Sequence, residues 1–274
     1  RKKLERIKSG NVFGSAAETK DRKQMLPAFG WYGGIGPVAW SQLTSSLRRT
    51  GRVVPAILVV GVVASLALYI AVRLYGDMVD KRFRDYAVPI SLLVASYLGF
   101  LVTITAQGGF SANRRLLTWY QTLPIQPLAI AIGMIAGTAS VLAALQVALL
   151  LPAIAVTTQT WAHCGALLFA GLAIDIAFAT AINLVAAATG LRPMPQGTPD
   201  VFQGIRAMVF MFVFACTMLP SNFAGAAGAA ASGAVFGFSW AACAIGAGLA
   251  IIAIQPFFWW VAGERFVHSE PQDG

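Results

Sequence analysis

The chain has 274 residues, of which 57% are hydrophobic and 11% charged, and its mean hydropathy is +0.69. A soluble domain carries about 25% charged residues, so this composition excludes a disordered chain and an ordinary soluble enzyme. The formal net charge is +9, and residues 1–52 supply +8 of it through 11 Lys/Arg against 3 Asp/Glu, which leaves a nearly neutral apolar body.

In chain order, residues 1–34 read as a basic cytoplasmic linker or tail. Arg1–Lys8 predicts a short helix that Ser9–Gly14 breaks, and Pro27 with Gly30–Gly36 marks a flexible turn. Residues 35–52 predict a helix. Pro37 suits its first turn, and Trp40, Leu43 and Leu47 share one face at three- and four-residue spacing. Arg48 and Arg49 close it, so the expectation is an interfacial helix lying flat in the headgroup layer. The basic head suits attraction to anionic lipid, and nucleic acid is not expected as a partner.

Residues 53–263 predict a six-span transmembrane domain. A spanning helix needs about 20 mostly apolar residues. Val53–Val72 and Tyr86–Asn113 are free of charge and hold one span each, whereas Leu116–Ile174 and Ala207–Gly263 are too long for one helix. The expected spans are 53–74, 87–107, 128–150, 165–189, 205–223 and 236–260. A membrane barrel would alternate polar and apolar residues, and these runs are apolar on all faces. The fold class is therefore all-α. Pro220 is expected to end the fifth span, with Phe223–Gly237 as a re-entrant outer hairpin or loop, and Pro256 to kink the sixth. The spacings Gly133-x-x-x-Gly137 and Gly233-x-x-x-Gly237 permit close helix contacts. Residues 264–274 form a short tail.

Six spans put both termini on one side. With the head in the cytoplasm, inner segments carry 16 Lys/Arg and outer ones four, namely Arg73, Lys81, Arg82 and Arg84. That bias predicts a cell (inner) membrane protein with cytoplasmic termini. Inside the spans, Asp175 is the one acidic residue, with Gln146 and Asn183 as polar neighbours that could meet it. An intramembrane carboxylate is costly, so Asp175 is a candidate for the translocation path or for a hydrogen bond between helices. Cys164, Cys216 and Cys243 have no metal spacing and read as buried small hydrophobes. No Ser/His/Asp triad is assembled, and no G-x-x-x-x-G-K-[ST] loop is present, so the chain is not expected to be an enzyme.

The loop at 114–127 holds the most information. Arg114 and Arg115 open it, and Leu116, Leu117, Tyr120 and Leu123 form an apolar stripe. Trp119 and Gln121 complete a short amphipathic helix that must end before Pro124, and Pro127 restarts the chain into the third span. The loop is short, rigid at both ends and predicted cytoplasmic, so it could pass force from a soluble partner to two spans.

The run Leu116-Leu117-(x)4-Thr122-Leu-Pro-Ile-x-Pro127, followed by Ile130-x-Ile132-Gly133, resembles the coupling-helix region of ABC-2-type exporter permeases. Gly33–Arg48 resembles the segment ahead of the first span in an ABC exporter permease family that fuses two six-span halves. Leu4–Gly10 resembles the linker before the second half. Where many such permeases keep a basic residue after the glycine of the third span, this chain has Met134. The resemblance implies a permease subunit, the C-terminal half of a fused permease, paired with a second six-span half or protomer. It implies a separate cytoplasmic ATPase that binds ATP and Mg, with no cofactor on this chain. An alternative from another class is a membrane anchor or assembly subunit that transports nothing.

Overall fold

The computed structural model describes residues 30, 32–50, 53–75, 81–106, 120, 124–189 and 203–267. Among the described residues, a short turn at Tyr32–Gly34 is followed by seven long helices: α1 (Ile35–Thr50), α2 (Val53–Tyr75), α3 (Lys81–Ala106), α4 (Pro127–Val156), α5 (Trp161–Thr189), α6 (Gln203–Phe236) and α7 (Trp240–Val267). No strand occurs among the described residues. The chain is an all-α, multi-pass membrane protein. Four of the helices, α4 to α7, contain stretches long and apolar enough to cross a membrane, and α2 holds a shorter apolar stretch at Val59–Val72. At 1.5 Å per residue, the 30 residues of α4 extend about 45 Å, well beyond a hydrocarbon core of about 30 Å.

The packing has a hub. α4 touches α1, α2, α3, α5 and α7, while α5, α6 and α7 pack on one another. α5 is the most enclosed, with 61% of its apolar window buried, against 22% for α6. Its Ala173, Ala177 and Ala181 lie one turn apart on a face that meets Met218 of α6 and Ile251 of α7. Alanine repeated at that spacing lets neighbouring backbones approach closely, which is how helices associate where lipid supplies no hydrophobic driving force.

Two sequence expectations are corrected here. Pro220 does not end a span: α6 runs unbroken from Gln203 to Phe236 with Pro220 inside it, so Phe223–Gly237 is neither hairpin nor loop. The physical reason lies in the partner helix. Gly225 and Gly228 of α6 face α7, and a Cβ on Gly228 would collide with the Gly246 carbonyl and lie 2.6 Å from Ala250 Cβ. Ser232 Oγ donates to the Ala242 carbonyl at 2.8 Å. This packing holds a helix together across one missing N–H, as membrane helices with prolines commonly require. The helix stops instead at Gly237, whose φ of 87° is left-handed. Gly237 is thus a turn residue, with no atom within 4 Å of where its Cβ would be, and it does not serve the packing role its G-x-x-x-G spacing suggested. Pro256 lies inside α7, where it was expected within the sixth span.

Candidate coupling site

The N-terminal end of α4 gathers the segments that sequence reading assigned to coupling. Of the loop residues, Tyr120, Pro124 and Pro127 are described, and Arg114, Arg115, Leu117, Trp119, Gln121 and Leu123 lie outside the described residues. Tyr120 is 4% exposed and clusters with Val38 of α1 and with Ile130 and Met134 of α4. Ile125, and Ala186 and Ala187 near the end of α5, pack against the same cluster. The Tyr120 hydroxyl and Ser41 Oγ are 2.5 Å apart, while Ser41 Oγ also donates to the Val38 carbonyl at 2.8 Å. Ile125 presses on Gly34, where a Cβ would lie 2.6 Å from Ile125 Cγ2, and the φ of 97° there disfavours any side chain. α7 closes the group, because a Cβ on Gly263 would lie 3.2 Å from the Leu128 nitrogen.

Met134 now has an explanation. It is fully buried beneath α1, where a lysine or arginine would be a charge without water.

The helix α1 buries a different face from the expected stripe. The face buried on α4 is Val38, Ala39 and Gln42, roughly a third of a turn round the helix from Trp40, Leu43 and Leu47. Trp40 and Leu43 are half-buried, and the side chains of Leu47, Arg48 and Arg49 lie outside the described residues. Gly133 makes room for Val38, and Gly137, one turn later, makes room for Gln42, one turn after Val38. Residues one turn apart on each helix meet in the same order, so α1 runs alongside α4 in the same direction. The reason is the Gly133-x-x-x-Gly137 trough, which exposes α4 backbone to a second helix. This role for the motif is more definite than its spacing alone suggested.

Deeper in the bundle, Asp175, Gln146 and Asn183 are each at most 2% exposed. The Gln146 amide has one orientation that satisfies both of its ends. Its nitrogen then donates to the Gly171 carbonyl at 3.2 Å and to Asp175 Oδ2, whereas the reverse would set its oxygen against two acceptors. Asn183 does not join this pair. Its Nδ2 donates to the Ala179 carbonyl at 2.7 Å and to Thr138 Oγ1 of α4 at 3.4 Å.

Sequence reading missed two further buried links. Trp259 Nε1 donates to Thr180 Oγ1 at 3.0 Å, joining α7 to α5, and Gln255 Nε2 donates to Ser221 Oγ at 3.2 Å, joining α7 to α6. Thr180 and Ser221 satisfy themselves within their own helices as well, and so their sequence gives no hint of a tertiary role. An apolar groove of about 350 Å³ opens between α4, α5 and α7 beside Trp259, Ala136, Ala139 and Ile176. Asp175 is not one of its walls, so it does not line that opening.

At the far end of the bundle, Thr158 Oγ1 donates to Asp85 Oδ1 and Gln159 Nε2 donates to the Asp85 carbonyl at 2.8 Å. These bonds tie the start of α3 to the α4–α5 turn. No group of three or more metal-binding side chains occurs among the described residues.

The sequence profile of a family described as "Putative ABC exporter" matches residues 1–270. The chain belongs to this family. It is therefore a membrane component of an ABC exporter, and the family implies an ATPase partner. No curated protein and no solved structure matches the chain.

Proposed function

We propose that this chain is an ABC-2-type permease subunit, the C-terminal half of a fused permease, that moves its cargo outward using ATP hydrolysed by a separate cytoplasmic subunit. On this reading all six apolar helices, α2 to α7, cross the membrane, and both termini lie in the cytoplasm of a cell with the charge bias described above. The ATPase, carrying ATP and Mg, docks on the loop at 114–127. A second six-span half or protomer completes the transporter.

The observation that carries this reading is the joint at Tyr120. The end of the loop packs on α1, on the first turns of α4 and against the last turns of α5. A displacement of the loop would act on three helices at once. Ser41 and Tyr120 hold α1 to the loop through one short hydroxyl pair, which is a contact that can break and re-form at low cost.

The experiment is a photo-cross-linker at Trp119 or Gln121 in the full-length protein, together with ATPase assays on the purified chain. The reading expects capture of an ATPase subunit and no ATP hydrolysis without it. A chain that captures no ATPase, and whose Tyr120 variants leave every activity of the complex intact, would instead be an anchoring or assembly subunit.

A further inference from the structure

The two polar contacts between α4 and α5 share one register. Gln146 pairs with Asp175, and Thr138 pairs with Asn183. Each step covers eight residues, downward on α4 and upward on α5, so the helices are antiparallel and the contacts form two rungs about 12 Å apart. Gly171 makes the deeper rung possible. A Cβ there would collide with the Gln146 amide and would lie 2.5 Å from Leu92 Cδ1 of α3. The Gln146 nitrogen therefore reaches a backbone carbonyl and a carboxyl oxygen on α5 together. Sliding α4 along α5 by one turn would break both rungs. It would also leave an amide and a carboxyl group buried where no water can replace the lost partners.

We propose that these rungs lock α4 and α5 into one rigid pair, with Asp175 and Gln146 as positioning residues that carry motion from the α4 end of the coupling joint into α5. This inference rests on the coupling reading given above. The lock itself is a property of the isolated chain and is measurable without a partner. Asp175 then works through its hydrogen bond to Gln146, and a neutral residue with the same acceptor geometry serves as well.

The test uses the full-length chain in lipid bilayers, with spin labels at the exposed positions Val147 on α4 and Gly165 on α5. The native chain is expected to give one narrow distance distribution. Asp175→Leu should raise the share of separated states about tenfold, the usual scale for an orphaned buried hydrogen-bonding group. Asp175→Asn should keep the narrow distribution, because its Oδ1 still accepts from Gln146. The reciprocal exchange Q146D/D175Q should restore it after either single change has broadened it. If Asp175→Asn broadens the distribution as much as Asp175→Leu in a folded chain, or if the exchange fails to restore it, the lock is wrong and the carboxylate acts in some other way. With the ATPase present, the distance should stay constant through the ATP cycle. A distance that changes with ATP overturns the lever. A lock that passes these tests in a chain that recruits no ATPase overturns the coupling reading and leaves the lock standing.

Discussion

Two sets of polar contacts between segments differ in their settings. At the joint, the Ser41–Tyr120 hydroxyl pair is part-buried and sits where the loop meets the end of the bundle. In the interior, Gln146–Asp175 and Gln255–Ser221 are sealed between helices. A hydroxyl at the end of a bundle can exchange its partner for water, so its net worth is small. A buried amide has no such alternative, so breaking its bond to the neighbouring helix costs more. The contrast separates a joint that can open from a block that holds its shape. On the proposed function, a transporter driven from one end needs both.

The largest expected effect tests the seat of the joint. Gly133→Leu places side-chain atoms where Val38 Cβ is already 2.7 Å from the would-be Cβ and the Ile35 carbonyl oxygen 2.9 Å. It should displace α1 and cost about 3 kcal/mol, the upper range for overpacking. Limited proteolysis of residues 35–50 and thermal unfolding in detergent would both register it. If α1 stays protected, it is not seated on the trough.

Next comes the block. Gln255→Leu removes the link to Ser221 and should lower stability by about 1 kcal/mol, within the range measured for hydrogen bonds between membrane helices. The same change should leave cross-linking of Tyr120 to α1 unaltered. A loss at both places would mean that joint and block are one unit.

A smaller effect probes the joint alone. Tyr120→Phe keeps the ring in its apolar cluster and deletes the hydroxyl. It should cost about 0.5–1 kcal/mol and show chiefly as transport lost per ATP hydrolysed, with normal folding. If Ser41→Ala gives the same loss and the double variant adds nothing, the pair is the relevant contact.

The smallest effect concerns Pro220. Pro220→Ala restores one backbone donor and removes the ring clash in a helix that is already continuous; because neighbouring groups already compensate in a packed membrane helix, unfolding should shift by under about 1 kcal/mol, toward greater stability. Cysteine labelling along 223–236 should show helical periodicity in both forms. A loop-like pattern in the native chain would reinstate a break at Pro220.

Much of this layout was legible in the chain. Uncharged runs separated by Arg-rich and Pro-bearing segments pointed to a chain of long apolar helices, because a spanning helix must satisfy its backbone internally and hide from water only along its length. Asp175 stood out for the same reason. Its partner did not, since Gln146 and Asn183 were equally available and only the antiparallel register of α4 and α5 selects one. Gly133 and Gly137 were visible as a motif, but the helix they receive was not. The stripe Trp40, Leu43 and Leu47 pointed to lipid, while the contact with α4 uses Val38, Ala39 and Gln42 on another side. Pro220 was misread because proline's local cost is a prior that a packed neighbour overrides.

The sequence alone therefore determined the solvent of this protein, its helical class and its charge asymmetry. These follow from transfer free energies and backbone hydrogen bonding, which act residue by residue. Only the tertiary structure decided that α1 runs beside α4, that Tyr120 joins the loop to it, and that Gln146 rather than Asn183 holds Asp175. Those outcomes depend on register and close approach between segments far apart in the chain. In an apolar body so rich in small residues, many registers are similar in hydrophobicity, and the few polar and glycine contacts separate them.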